Sequence, residues 1–93
     1  MISGFKDKRT AAVFVGKVLK GFPVEIANSA RLKLRMLDVA RSLSDLRSPS
    51  SNGLEALRGD RAGQHSIRVN DQWRLCFRWY DGNAFDVEIV DYH

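Results

Sequence analysis

Apolar residues in the first half of the chain recur at three- and four-residue steps, the spacing that places side chains on one face of an α-helix. Asp7 is suited to cap a first helix, which we predict over Lys8–Leu19. Gly21-Phe22-Pro23 ends that helix, and Val24–Leu46 carries the clearest helical stripe. The sequence therefore predicts two consecutive N-terminal helices.

The period changes from 3.6 to 2 beyond a turn-rich segment, Arg47–Gly53. Alternating stretches then predict three strands, at His65–Val69, Trp73–Tyr80 and Ala84–Tyr92. Tight turns at 70–72 and 81–83 should make them an antiparallel meander, and Met1–Phe5 could add a short first strand. We expect an α/β domain of the α+β type over residues 1–93, with two N-terminal helices packed on a mainly antiparallel sheet.

Strand alternation also assigns a face to each side chain. The large residues at odd positions of Trp73–Tyr80 should pack on the helices, together with Phe85, Val87 and Ile89. The opposite face should present charged and aromatic side chains, namely Arg68, Arg74, Arg78, Asp86, Glu88 and Tyr92.

The charge balance favours an anionic partner. The chain has 15 Lys and Arg against 11 Asp and Glu, for a net charge of +4 and a pI near 9.6. Ten of the fifteen basic residues are Arg, whose planar fork suits phosphate. A basic surface without any such partner explains the charge equally well.

Other composition features restrict the class of protein. Cys76 is the single cysteine, so an intramolecular disulfide and a Cys-rich zinc site are excluded. His65 and His93 lie too far apart in sequence to favour a metal site. No apolar run approaches membrane-spanning length, and the N-terminus lacks the apolar core of a signal peptide. We therefore expect a cytoplasmic protein with no membrane partner.

Arginines at two places are candidates for phosphate binding. In Arg58-Gly59-Asp60-Arg61 both arginines could hold phosphate, although a turn with a local Arg–Asp ion pair explains the motif by itself. Arg74 and Arg78 share a strand face, where they could stabilise charge on phosphorus or pair with Asp86 or Glu88 of the neighbouring strand. Arg74 is the better functional candidate, and Arg78 fits the ion pair better.

The chain ends in Asp91-Tyr92-His93, directly after an alternating strand that should hold these residues in place. An imidazole titrates near neutral pH, so His93 can act as acid or base, and Tyr92 could stack on a nucleobase. The alternative is a solvent-exposed tail histidine. His65 alternates with Ile67 and is expected to be a hydrogen-bonded structural histidine.

Three motifs together resemble HigB-type toxins of the RelE/ParE superfamily, from bacterial type II toxin–antitoxin modules: Leu57-Arg58-Gly59-Asp60-Arg61, Asn70-Asp71-Gln72-Trp73-Arg74 and Asp91-Tyr92-His93. The resemblance covers essentially the whole chain. It implies a microbial-ribonuclease-like fold and a ribosome-dependent mRNA endoribonuclease that inhibits translation without a metal or cofactor. It also implies a cognate helix-turn-helix antitoxin of the HigA type, through which alone the toxin would contact operator DNA.

The resemblance further implies a set of site residues. In this family the ribose 2′-OH attacks the scissile phosphate, a step that needs a base, cations and an acid. Asp91 and His93 would share the proton transfers, in either assignment, and Tyr92 would stack on or orient the nucleotide. The expected phosphate contacts are Arg58, Arg61, Arg74 and Arg78.

Glu55 departs from the family pattern, because some HigB toxins have a histidine at this distance before the position of Arg58. A carboxylate there could act as general base or repel the scissile phosphate, and we expect a slower ribonuclease than the histidine-bearing relatives. Two other classes stay open. One is a ParE-type DNA gyrase inhibitor, and the other is a module that binds RNA or ribosomes without cutting.

Overall fold

The computed structural model describes residues 1–92, and in that range helices precede a four-stranded sheet. The α-helices are α1 at Lys8–Phe14 and α2 at Val24–Val39. Three 3₁₀ turns lie at Leu43–Arg47, Ser50–Asn52 and Gly59–Arg61. The strands are β1 at Glu55–Ala56, β2 at Gln64–Arg68, β3 at Trp73–Tyr80 and β4 at Asn83–Asp91. In residues 1–92, neither α-helix is long and apolar enough to cross a bilayer.

The strands form one sheet in the order β1-β2-β3-β4, and all neighbours are antiparallel. The predicted meander is therefore confirmed, and β1 extends it by one short strand. The N-terminal segment makes only two isolated parallel bridges to β4, from Ile2 to Ala84 and from Phe5 to Val87. The predicted first strand at Met1–Phe5 is thus reduced to these bridges.

Helix α1 begins where the sequence predicts and ends earlier. The Asp7 carboxylate accepts a hydrogen bond from the Thr10 backbone N–H at 2.7 Å, which confirms the N-cap. The helix stops at Phe14 instead of the predicted Leu19. Gly16 has φ +89°, a left-handed conformation that ends the α-helical path and that glycine adopts without steric cost.

Helix α2 also ends earlier than predicted, at Val39, so a continuous helix to Leu46 is wrong. The reason is that a separate helical turn begins here, with its own N-cap at Ser42. Ser42 is extended, its side chain accepts from the Asp45 backbone, and the Asp45 carboxylate accepts from the N–H groups of Arg41 and Ser42. These backbone hydrogen bonds lower the pKa of Asp45 and fix the beginning of a separate 3₁₀ turn.

The helices pack on one face of the sheet and enclose the core there. Its central fully buried residues come from both layers: Val13, Ala30, Leu34, Leu37, Ile67, Leu75, Phe77 and Val87. Burying such side chains is the main favourable term in folding. The opposite face of the sheet carries polar side chains, among them the candidates Arg74 and Arg78.

A β-bulge corrects the predicted facing of β4. The register of β3 and β4 shifts between Cys76 and Arg78, and Asp86 takes a positive φ of 51°. One extra residue in β4 reverses the alternation on its N-terminal side. Phe85 is consequently opposite Arg78 on the polar face, so its predicted inward orientation is wrong, and Ala84 is buried instead. The buried positions predicted beyond the bulge are confirmed for Val87 and Ile89.

Thr10 ties α1 to the sheet. Its buried Oγ1 accepts a hydrogen bond from the backbone N–H of Ile89 at 3.0 Å. Thr10→Val keeps the side-chain shape but leaves that N–H unpaired, which should lower the free energy of unfolding by about 1–3 kcal/mol. Thr10→Ser keeps the hydroxyl and should lose less. Urea unfolding followed by tryptophan fluorescence measures both, and an equal loss in the two variants would contradict the assignment.

Candidate active site

The polar face is organised around one cross-strand row. Glu55 of β1 lies opposite Ser66 of β2, which lies opposite Cys76 of β3, which in turn lies opposite Glu88 of β4. Side chains directly opposite one another share a face, and their Cβ atoms lie about 5 Å apart. The polar row therefore has a carboxylate at each end and two small, fully buried side chains between them.

Arg74 lies over the first half of the polar row. Its Nε donates to Ser66 Oγ at 2.8 Å, its Nη2 donates to the backbone carbonyl of Gly53, and the same Nη2 lies 3.7 Å from Glu55 Oε1. The side chain is only 16% exposed. The two hydrogen bonds, to β2 and to a turn, fix this guanidinium, and the longer contact with Glu55 of β1 adds to them. The alternative of a pair with Asp86 or Glu88 is not adopted.

Arg61 lies over the second half of the polar row. The 3₁₀ turn that carries it directs Nη1 to Glu88 Oε1 at 2.7 Å and to Gln64 Oε1 at 3.1 Å. Gln64 is in β2 and Glu88 is in β4, on either side of β3. The Arg61 guanidinium that binds both therefore lies over β3, beside Cys76. The hydrogen bond to Glu88 raises the pKa of Arg61. The alternative of a local pair with Asp60 is not adopted.

Tyr92 completes this cluster. The Cys76 thiol donates to the Tyr92 hydroxyl with a sulfur–oxygen distance of 4.0 Å, a long and weak contact of the kind that thiols make. Burial raises the pKa of both groups, so each is neutral near pH 7. Tyr92 as a residue is 36% exposed. The structure therefore brings Glu55, Arg61, Arg74 and Tyr92 together on one face.

Other candidates from the sequence lie apart from this cluster. Arg58 is exposed, and its side chain makes no hydrogen bond or ion pair with another residue of the described range 1–92. Arg78 is exposed and pairs with Asp86 at 3.5 Å, the arrangement that fitted it better. Asp91 lies opposite Trp73, so alternation places it on the other face from Arg74. The Gln72 amide donates to both Asp91 oxygens, at 3.1 and 3.2 Å.

His93 lies outside the described residues. His65 packs its ring on Phe77, with centroids 6.2 Å apart, as expected of a structural histidine. Its buried Nδ1 has no hydrogen-bond partner within residues 1–92, so the expected hydrogen bond is not found there. Over the same range, no group of three or more His, Cys, Asp and Glu side chains is arranged to hold a metal ion.

Sequence reasoning assigned no role to Ser66 and gave Glu88 only as an alternative ion-pair partner for Arg74 or Arg78. Alternation onto the predicted polar face was the only other signal for either residue. Their importance arises from cross-strand register and from a turn that carries Arg61 back over the sheet. Neither is encoded by a local motif.

The same fold occurs in a solved bacterial protein. YafQ from E. coli strain BL21(DE3) superimposes with a TM-score of 0.64 over 98% of this chain and 93% of that chain, at 13% sequence identity. A point mutant of E. coli YafQ gives a TM-score of 0.63 at 14% identity, with the same coverage of both chains. At this identity the likeness establishes a shared fold and nothing beyond it.

The sequence comparisons define the family. The model for the RelE-like toxin of type II toxin–antitoxin system HigB matches residues 3–93. Toxin HigB-1 of Vibrio cholerae serotype O1 is 48% identical over 84 residues, 89% of this chain and 88% of that protein. Endoribonuclease HigB of Proteus vulgaris is 32% identical over 93 residues, the whole of both chains. The chain therefore belongs to the HigB family of RelE-like toxins of type II toxin–antitoxin systems.

This family membership confirms the resemblance carried by the three sequence motifs. A toxin of a type II toxin–antitoxin system implies an antitoxin partner. The family also gives the cluster around Arg61 and Arg74 a functional context that its geometry alone does not supply.

The position of Arg61 over Cys76 can be tested by thiol chemistry. Burial raises the pKa of Cys76, so in the folded protein little thiolate forms and little of it is accessible. We expect alkylation by iodoacetamide at pH 8 to be at least about tenfold slower in the folded protein than in urea. Arg61→Ala should speed the folded-state reaction, because uncovering the sulfur outweighs the loss of a cation that lowers the pKa of Cys76, whereas Arg35→Ala on α2 should leave the rate unchanged. Mass spectrometry measures the rate, and fast alkylation of the folded wild type would contradict this geometry.

Proposed function

We propose that this toxin is an endoribonuclease that cuts mRNA on the ribosome and so inhibits translation. It would act in the cytoplasm with a helix-turn-helix antitoxin of the HigA type, and it would contact operator DNA only through that antitoxin. Family membership supports the proposal, as does the name Endoribonuclease of the Proteus vulgaris relative. The observation that carries it is the pair of anchored guanidinium groups, Arg61 and Arg74, beside Tyr92 on one sheet face.

The proposed chemistry is an internal displacement at phosphorus. A base removes the proton of the ribose 2′-OH, the 2′-oxygen bonds to phosphorus, and the bond to the 5′-oxygen breaks. An acid then protonates the 5′-oxygen, which leaves a 2′,3′-cyclic phosphate and a free 5′-OH. Preorganised cations lower the barrier because they stabilise the charge that develops on the phosphoryl oxygens. Arg61 and Arg74 are held in place before substrate arrives, as this role requires.

The remaining candidates take roles suited to their positions. Tyr92 is neutral and about one third exposed, and it would stack on the nucleotide. Exposed Arg58 and Arg78 would contact flanking phosphates. His93, which follows Tyr92 in sequence, and Asp91 would share the proton transfers. The position of Asp91 on the other face leaves it a less direct route to the phosphate than Glu55.

Primer extension on a reporter transcript in a translating extract tests the activity. We expect new 5′ ends spaced with the reading frame for the wild type. Arg74→Ala should reduce cutting by about 100-fold, the usual loss when a donor to transition-state charge is removed. Arg35→Ala, an exposed arginine on α2 across the sheet, should cut like the wild type. His93→Ala tests the terminal imidazole, and cutting that is unaffected would assign the proton transfers to Glu55 or Asp91.

Two results would contradict the nuclease proposal. A folded wild-type protein that binds ribosomes without producing new 5′ ends would be a non-cleaving module, with binding that weakens as salt rises. Inhibition of purified DNA gyrase without RNA cleavage would assign the chain to the ParE-type activity. Both assays use the same preparation as the primer-extension experiment.

Glu55 should slow the reaction because its carboxylate competes with phosphate for Arg74. The two side chains lie 3.7 Å apart, and Glu55 is 57% exposed and can move aside. We expect Glu55→Gln to lower KM for RNA and Glu55→His to raise the cleavage rate. Asp60→Asn is the control, since Asp60 is an exposed carboxylate on the adjacent turn. Initial rates decide the role: a slower Glu55→Gln would make Glu55 the general base, and an unchanged or slower Glu55→His would refute the competition.

A further inference from the structure

Glu88 is an unexpected residue at a site that would bind RNA. Its side chain is only 15% exposed and lies at the β4 end of the polar row. A carboxylate in this position repels a phosphate, which should weaken RNA binding. We therefore expect Glu88 to make a favourable contribution to the site that offsets this repulsion. Its contacts with other side chains indicate what it contributes.

Glu88 is the strongest partner of Arg61. The turn that carries Arg61 is formed by exposed residues, Arg58, Gly59 and Asp60, which do not restrict a long side chain. Within residues 1–92, the hydrogen bonds of the guanidinium go to Gln64 and Glu88, and the one to Glu88 is shorter and charge-assisted. Without these contacts, Arg61 would sample several rotamers over the sheet.

The contacts also determine which part of the guanidinium remains available. Both hydrogen bonds use Nη1, and a guanidinium has five N–H donors in a rigid plane. Fixing Nη1 at two acceptors therefore fixes Nη2 and Nε as well. These two nitrogens carry the three donors that make no hydrogen bond to a residue in the described range, and they form the kind of edge that binds phosphate through two hydrogen bonds.

Lys6 limits the electrostatic cost of this arrangement. Its Nζ lies 3.6 Å from the same Glu88 oxygen that accepts from Arg61. One carboxylate is thus shared by two cations, so the local charge stays positive. This local balance is compatible with an anionic ligand.

We propose that Glu88 is a positioning residue that, together with Gln64, holds Arg61 in the orientation in which its remaining donors bind the scissile phosphate opposite Arg74. This inference rests on the proposed nuclease function and assigns it a further residue. Glu88 itself would not touch the substrate. Its whole effect on cleavage would pass through Arg61.

Arginine side-chain NMR tests the positioning directly. In the wild type, rotation about the Cζ–Nη1 bond of Arg61 should be slow, because Nη1 is held by two acceptors. Glu88→Gln replaces the charged acceptor by a neutral one of the same size, and it should speed that rotation. Asp86→Asn is the matched control: it also converts a carboxylate to an amide in β4, and Asn tolerates the positive φ of this position. Unchanged rotation in Glu88→Gln would overturn the proposal.

Cleavage kinetics test whether the positioning matters. Glu88→Gln should lower kcat by about 10- to 100-fold, the size of effect that follows from a misplaced reacting group, while KM does not rise. In an Arg61→Ala background, Glu88→Gln should have no further effect, since the residue through which it acts is gone. Asp86→Asn should leave kcat unchanged.

The alternative roles of Glu88 give different results. If it acted only through charge, Glu88→Gln would lower KM and leave kcat unchanged. If it were itself an acid or base, or only supported the fold, the loss would persist in the Arg61→Ala background, in the latter case with a lower Tm. A wild type that does not cleave would refute the nuclease proposal, whereas the NMR result decides the positioning of Arg61 separately.

Discussion

The antiparallel register of the last three strands is the constraint on which the site depends. It places Ser66, Cys76 and Glu88 in one line across β2, β3 and β4, and β1 adds Glu55 to the end of that line. Since side chains alternate along a regular strand, a one-residue slip of β3 would transfer Arg74, Cys76 and Arg78 to the core face. The buried residues on the other side of β3 therefore hold the functional face in register as well as stabilising the fold.

The sequence predicted the two α-helices and the strands β2 to β4 because each of them has a local cause. The Asp7 cap, the helical stripe of α2 and the alternation of β3 can all be recognised within a short window. The errors concern features that compete with periodicity: Gly16 ends α1 early, the Ser42–Asp45 capping box interrupts the predicted long helix, and the bulge at Asp86 reverses Phe85. Each is a backbone conformation whose choice a hydrophobic pattern does not record.

The site was predictable only to the level of individual residues. Arg61, Arg74 and Tyr92 were selected from motifs, and the structure brings them together. The hydrogen-bond partners of these residues were not predicted. The bond between Arg61 and Glu88, for example, joins residues 27 positions apart that a 3₁₀ turn and a strand bring together. Asp91 shows the opposite case: its neighbours in sequence suggested a shared role, yet strand alternation separates it from Tyr92.

The two arginines are anchored in different ways, and this difference suggests how the site balances rigidity against substrate binding. Arg74 is held by neutral acceptors, Ser66 Oγ and the Gly53 carbonyl, so the nearby Glu55 is not needed to fix it. Arg61 depends on a carboxylate for its shortest contact. Glu55, at the β1 end of the polar row, can therefore be substituted without releasing Arg74. A substitution of Glu88, at the β4 end, would by contrast affect the position of Arg61. Two cations can be positioned on a sheet face in this way, because the strands supply the rigidity that a pocket wall would otherwise provide.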